Sequence, residues 1–236
     1  MCYSNSLTSK NVDLKKKYKK EIPANLPENP LFLARGFNFP YWRVITGKTE
    51  IQQMSWGLIP SWFKGENAAE IASKTLNARS ETLLQKPSFR HLIQQKHCII
   101  PSTGFFEYHT NDKEKVPYFI YPKQDSLFSM AGLYDEALDL QSGEIVQSFT
   151  ILTCPANSKM EEIHNTKKRM PVLLDANGEN DWLEMKAGCS ALLKPSPDNW
   201  MDAYKINPKI MKGPEHNTVK VQEIYHSSNL DQGSLF

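Results

Sequence analysis

No sign of charge dominates this sequence: 28 Lys and Arg stand against 26 Asp and Glu, a formal net charge of +2. Such a balance gives no nucleic-acid partner from bulk charge, so any basic face must be local. No apolar run approaches the roughly 18–20 residues of a membrane span. The start, Met1-Cys2-Tyr3-Ser4-Asn5-Ser6, lacks the basic stretch followed by an apolar one that marks a secretory leader. A cytoplasmic protein without membrane contact is therefore expected. The four cysteines, Cys2, Cys98, Cys154 and Cys189, form no C-x-x-C pair. Neither a zinc site nor a disulfide framework is expected from them, and no metal or cofactor. With 11 Gly and 15 Pro in 236 residues, low-complexity and collagen-like architectures are excluded. Internal repeats and an obvious linker are also missing.

A chain of this length makes one large domain or two small ones. It can bury about 70–75% of its unfolded surface, enough to fold without a staple. Six lysines crowd residues 10–20, with Leu14, Tyr18 and Ile22 spaced i, i+4, i+8 among them. That spacing predicts an amphipathic helix whose lysines form either a solvated face or a phosphate-facing surface. Runs rich in β-branched and aromatic residues predict strands at Leu31–Arg35, Trp42–Thr46, Ile51–Leu58, His97–Ser102, Gly104–His109, Pro117–Tyr121, Leu127–Tyr134 and Ile145–Thr153, with a further strand over Met170–Leu174. Helices are predicted at Phe89–Gln95, Asn157–Ile163 and Asp175–Lys186, with turns at Asn111–Glu114 and Asp139–Gly143. Strands follow strands and helices sit apart, without βαβ alternation. The expected fold is α+β: a single compact domain over residues 1–226 with a mainly antiparallel, barrel-like sheet and peripheral helices, then a frayed tail over 227–236.

Several residues could carry chemistry. If Met1 is removed, Cys2 carries a thiol and a free α-amine two carbons apart. Their ordinary pKa values, about 8.5 and 7.7–8.0, leave both partly nucleophilic near neutral pH. The pair can capture an aldehyde as an imine and close a thiazolidine ring, or serve an N-terminal-nucleophile hydrolase with the amine as base. Otherwise Cys2 is an ordinary cysteine near a start codon. In Leu76-Asn77-Ala78-Arg79, an extended backbone puts Asn77 and Arg79 on one face, an amide beside a phosphate-binding fork; a polar loop is the alternative. Glu107 lies among aromatics, where burial would raise its pKa towards neutrality, unless it points to solvent from an edge strand. His164 precedes Lys167, Lys168 and Arg169, suiting acid–base work beside phosphates or a purely structural place. Trp56, Trp62 and Phe63 lie within eight residues; loop aromatics stack on unpaired bases, while Trp56 reads as core.

Together these segments resemble a known family. Cys2, Trp56-Gly57 with Pro60-Ser61-Trp62, Asn77-Ala78-Arg79-Ser80-Glu81-Thr82, Gly104-Phe105-Phe106-Glu107, Met130-Ala131-Gly132-Leu133 and Ile163-His164 with Arg169-Met170-Pro171-Val172 stand in the order of the SOS response-associated peptidase (SRAP) family. The resemblance spans residues 1 to about 175. It implies loss of Met1, by the protein itself or by an aminopeptidase, and capture of abasic sites in single-stranded DNA as a thiazolidine on Cys2. It implies that Asn77 steadies the linkage, that Glu107 and His164 transfer protons, and that Arg79 and Arg169 contact DNA. Pro40, Trp62 and Phe63 would wedge and stack bases, with the protein acting as a monomer. Where the family often begins Cys-Gly-Arg, this chain has Cys2-Tyr3-Ser4. Two other classes remain open: a cysteine peptidase using Cys2, acting on its own leader alone or more widely, and a non-catalytic nucleic-acid-binding module.

Overall fold

Alternating and β-branched segments become strands in the computed structural model, which describes residues 2–65, 67–112, 114–139, 142–212 and 217–225. The strands are β1 (Ser4–Leu7), β2 (Leu31–Arg35), β3 (Tyr41–Val44), β4 (Gln52–Trp56), β5 (Asn77–Arg79), β6 (His97–Ser102), β7 (Gly104–Asn111), β8 (Glu114–Pro122), β9 (Phe128–Leu138), β10 (Ile145–Pro155), β11 (Arg169–Pro171), β12 (Leu173–Leu174) and β13 (Met201–Lys205). Among the described residues the α-helices are α1 (Asn11–Tyr18), α2 (Ala68–Lys74), α3 (Ser158–Ile163), α4 (Ala176–Leu183) and α5 (Pro208–Lys212). The expected helix at Phe89–Gln95 shrinks to a 3₁₀ turn over Leu92–Gln94. Lys113, residues 140–141 and the expected tail over 227–236 lie outside the described residues.

The expected barrel does not form among the described residues, although most strand pairings are antiparallel, as expected. One sheet has five strands in the order β13-β8-β7-β1-β2. A second, eight-stranded sheet follows β12-β9-β10-β4-β3, with β5 and β11 attached to β10 and β6 to β9. Neither sheet closes: each ladder ends on an outer strand, and only one isolated bridge, Ile45 to Ile99, links the end of β3 to β6. The second sheet is mixed, because β10 runs parallel to both β4 and β5. Parallel and antiparallel strands carry the same two-residue side-chain period, so a strand-rich pattern leaves direction and closure open.

The main core draws on both sheets: Phe105 and Ile120 of the first belong to the same buried cluster as Met130 and Ile151 of the second. Three tryptophans are fully buried, and each indole N–H finds a carbonyl: Trp42 to Pro101, Trp56 to Leu76, and Trp182 to Cys98, at 2.9–3.0 Å. A smaller cluster of Leu33, Phe106, Phe119, Ile206, Met211 and Val221 covers the other face of the first sheet. Along β7, Phe105 faces the main core and Phe106 the small cluster. Side chains alternate across a strand, so Glu107 shares the inward face with Phe105. All four cysteines are free.

Candidate active site and nucleic-acid interface

The beginning of the chain is held in place by three neighbours. Strand β1 pairs with β7 in the register Ser4 to Phe106 and Asn5 to Phe105, which leads residues 2–3 back along Glu107. Gly36 donates its N–H to the Tyr3 carbonyl at 2.8 Å. Asn77 donates its side-chain amide to the Cys2 carbonyl at 2.9 Å. Asn77 and Arg79 do lie in an extended segment, β5, paired with Ile151 and Thr153 of β10. Ala78 between them is buried while Arg79 is exposed. The Asn77 Oδ1 is itself buried and has no hydrogen-bond partner among the described residues. That oxygen can accept a hydrogen bond from a bound group.

Cys2 is fully buried in the whole chain, its thiol aimed at the Ser4 carbonyl at 3.8 Å. Burial, reinforced by the nearby Glu107 carboxylate, pushes this thiol well above its ordinary range. Glu107 is 5% exposed, and burial lifts its carboxyl to about 7. His164, also buried, sits just past α3 with Nε2 at 3.7 Å from Glu107 Oε2. Its Nδ1 lies 3.0 Å from the Arg169 carbonyl. A carbonyl only accepts, so Nδ1 carries the proton, and in the neutral ring Nε2 is the acceptor on the side of Glu107. Burial also lowers the His164 pKa. Burial thus favours the uncharged form of both groups.

Residues 165–168 separate His164 from Arg169 yet bring them together, because the segment closes as a turn. Lys168 donates its N–H to the His164 carbonyl at 2.8 Å from a left-handed backbone, φ 48°. Asn165 clamps this turn to β7 through both groups of Thr110, at 2.8 and 3.0 Å. Arg169 is 8% exposed and its guanidinium is occupied internally. It makes a bidentate pair with Glu81 at 2.7 and 2.9 Å and donates to the Thr153 carbonyl at 2.7 Å. The pair holds the Glu81 carboxyl down at about 2. Arg169, expected at the DNA, therefore lines the site from within, and it is Arg79 that presents an exposed guanidinium.

Two cavities share Arg79 in their linings. One, of about 970 Å³, is lined by Phe63, Lys74, Asn77, Arg79, Lys86 and Phe89 among others. The other, of about 480 Å³, is lined by Tyr3, Arg79, Glu107, Lys115, His164 and Lys167 among others. Trp62 is 52% exposed, Pro40 and Phe63 are half-buried, and Trp56 is core. Tyr3, Lys115 and Glu81, the partner of Arg169, also border the site without being among the expected residues. Of these only Glu81 carried a signal, through its place in the segment 77–82. Among the described residues no group of three His, Cys, Asp or Glu could hold a metal, and no helix is long and apolar enough to cross a membrane.

Comparison with known proteins gives one consistent result. The sequence model described as SOS response associated peptidase (SRAP) matches residues 1–213. The abasic site processing protein YoqW of Bacillus subtilis (strain 168) is 39% identical over 176 residues, 72% of this chain and 75% of its own. The abasic site processing protein HMCES of Gallus gallus is 34% identical over 154 residues, 57% of this chain and 45% of the longer relative. Among solved structures, a protein from Bacteroides thetaiotaomicron superposes with a TM-score of 0.89 at 38% identity, over 95% of this chain and 100% of the other. A protein from Bordetella bronchiseptica superposes with a TM-score of 0.74 at 26% identity, over 87% of this chain and 100% of its own.

Proposed function

Because the chain belongs to the SOS response associated peptidase (SRAP) family, we propose that it captures abasic sites in single-stranded DNA as a covalent thiazolidine on Cys2 once Met1 is removed. One observation carries this reading: Asn77, which lines one cation-bearing cavity, pins the residue-2 backbone, and a buried Glu107–His164 pair lines a second cavity that shares Arg79 with the first. The freed amine attacks the ring-opened aldehyde carbon, water leaves, and an imine forms. The thiol then adds to the imine carbon, and the nitrogen takes a proton. Over both steps the aldehyde, amine and thiol lose one water. Protonated Glu107 supplies a proton to the departing oxygen, and Nε2 of His164 receives one. Asn77 Oδ1 accepts from the ring N–H or a sugar hydroxyl.

The order of steps separates this reading from the peptidase one. A cysteine peptidase attacks first with thiolate, whereas burial holds the Cys2 thiol protonated in the unprocessed chain. Attack by the amine needs no thiolate at the start. A passive binding module is disfavoured on different grounds, since a carboxyl lifted to about 7 by burial weakens the fold and adds nothing to phosphate binding.

The exposed Arg79, shared by both cavities, is the phosphate contact of this scheme, and Trp62 stacks on a base. Arg79→Ala should weaken single-strand binding and lower the slope of log K against log salt by about 0.7. Trp62→Ala should cost about 1–3 kcal/mol of binding. Fluorescence titrations across a salt series measure both. An unchanged affinity in a folded variant takes that residue off the DNA path. The reading itself is tested by incubation with an abasic oligonucleotide: a heat-stable adduct supports it, and cleavage of peptides without an adduct favours the peptidase.

A further inference from the structure

The smaller cavity has an aromatic wall that the scheme above leaves unused. Tyr3 lines that cavity, and its ring lies against Phe37 with centroids 5.1 Å apart and planes tilted by 38°. The Gly36 N–H bond to the Tyr3 carbonyl ties the residue after Cys2 to the short 3₁₀ turn Gly36–Asn38 that carries Phe37. The two rings are thus set by backbone structure before any ligand arrives, which reduces the ordering cost of binding. Phe37 is 56% exposed, a large apolar ring left in water next to a half-buried one. The same cavity brings the exposed cations Arg79, Lys115 and Lys167 to its edge, while its one carboxylate, Glu107, is buried.

We propose that Tyr3 and Phe37 form a stacking subsite for the nucleobase next to the abasic position, with Arg79, Lys115 and Lys167 meeting the phosphates on that side. This rests on the capture function proposed above and adds which neighbouring unit the protein holds. Aromatic rings interleaved with cations are the chemistry of single-stranded nucleic acid, since every base has a π-face and every linkage a charge. Tyr3 follows Cys2 directly, so its ring lies within reach of a unit adjoining the linked sugar. Stacking does not read base identity; the subsite should require a base and tolerate any.

Binding of the full chain to single-stranded oligonucleotides separates this subsite from the capture chemistry. The lesion position carries a non-reactive tetrahydrofuran spacer, so no adduct forms and affinity alone is read. The base on one side or the other is then replaced by a second spacer. In wild type, removing the base on one side should weaken binding roughly tenfold, and removing it on the other side should cost less. Tyr3→Ala and, independently, Phe37→Ala should bind the two oligonucleotides of the sensitive side equally, while Tyr3→Phe should keep the full difference. Wild-type insensitivity to both neighbours, or the same tenfold difference in Tyr3→Ala and Phe37→Ala, overturns the proposal. Wild-type protein with reactive abasic oligonucleotide tests the capture reading separately, since its failure there leaves the spacer results standing.

Discussion

Cys2→Ala protein should give no heat-stable adduct with abasic single-stranded DNA. After removal of Met1, alanine still offers an α-amine, so the imine can form. Without the thiol the ring cannot close, and the imine hydrolyses back. Borohydride should therefore trap a Cys2→Ala adduct that heat otherwise destroys, whereas the wild-type adduct needs no reductant. The substitution removes a side chain that is fully buried in the unprocessed chain, so thermal melting must accompany the assay to show an intact fold. Equal amounts of heat-stable adduct from wild type and Cys2→Ala would rule out the thiazolidine.

Glu107→Gln should slow single-turnover adduct formation by about 10²–10⁴ while leaving DNA affinity near wild type. The amide preserves shape but has no proton to exchange. The wild-type rate should fall as pH rises through about 7, where the Glu107 carboxyl loses its proton, and the variant should lack that limb. The same substitution that slows the reaction should raise stability at high pH. The folded state holds the Glu107 proton up to about 7, while the unfolded chain releases it near 4.5, so wild-type stability declines between these values and stays lower above them. Glutamine escapes that loss. At pH 8 Glu107→Gln should be more stable by on the order of 3 kcal/mol at most, with the gap shrinking towards pH 4.5. His164 contributes the opposite slope, because its lowered pKa makes the unfolded chain take up protons first as pH falls below about 6.5. Urea melts of wild type and Glu107→Gln at pH 5 and 8 isolate the Glu107 part. Equal rates at every pH would remove Glu107 from the proton transfer.

Local signals in the sequence were legible where side chains alone decide the backbone. The ends of β2 and β6 fall where apolar and β-branched runs begin and stop, and the extended stretch holding Asn77 and Arg79 is a strand. Strand β1 was not legible, because Ser4-Asn5-Ser6-Leu7 is mostly polar. It is buried only because partners elsewhere satisfy it: Asn5 Oδ1 accepts from Ser102 Oγ at 2.6 Å, and Ser6 Oγ donates to the Leu31 carbonyl at 3.0 Å. Parallel pairing of β10 with β4 and β5 leaves no mark in the two-residue period, so that pattern does not separate open mixed sheets from a barrel. In the site, the residue types at Cys2, Asn77, Glu107 and His164 suggested their chemistry, and the fold brings Asn77 to Cys2 and His164 to Glu107. The pairing of Arg169 with Glu81 spans 88 residues, and no local pattern announces that a cation beside a histidine will be consumed internally.

Intact-mass measurement of Met1-less protein mixed with an abasic single-stranded oligonucleotide, without reductant, bears most directly on the role of Cys2. Conversion to one species is expected, equal in mass to protein plus oligonucleotide minus one water and mapping by digestion to Cys2. Unchanged protein and oligonucleotide masses after incubation, or a linkage mapped to a residue other than Cys2, would contradict it.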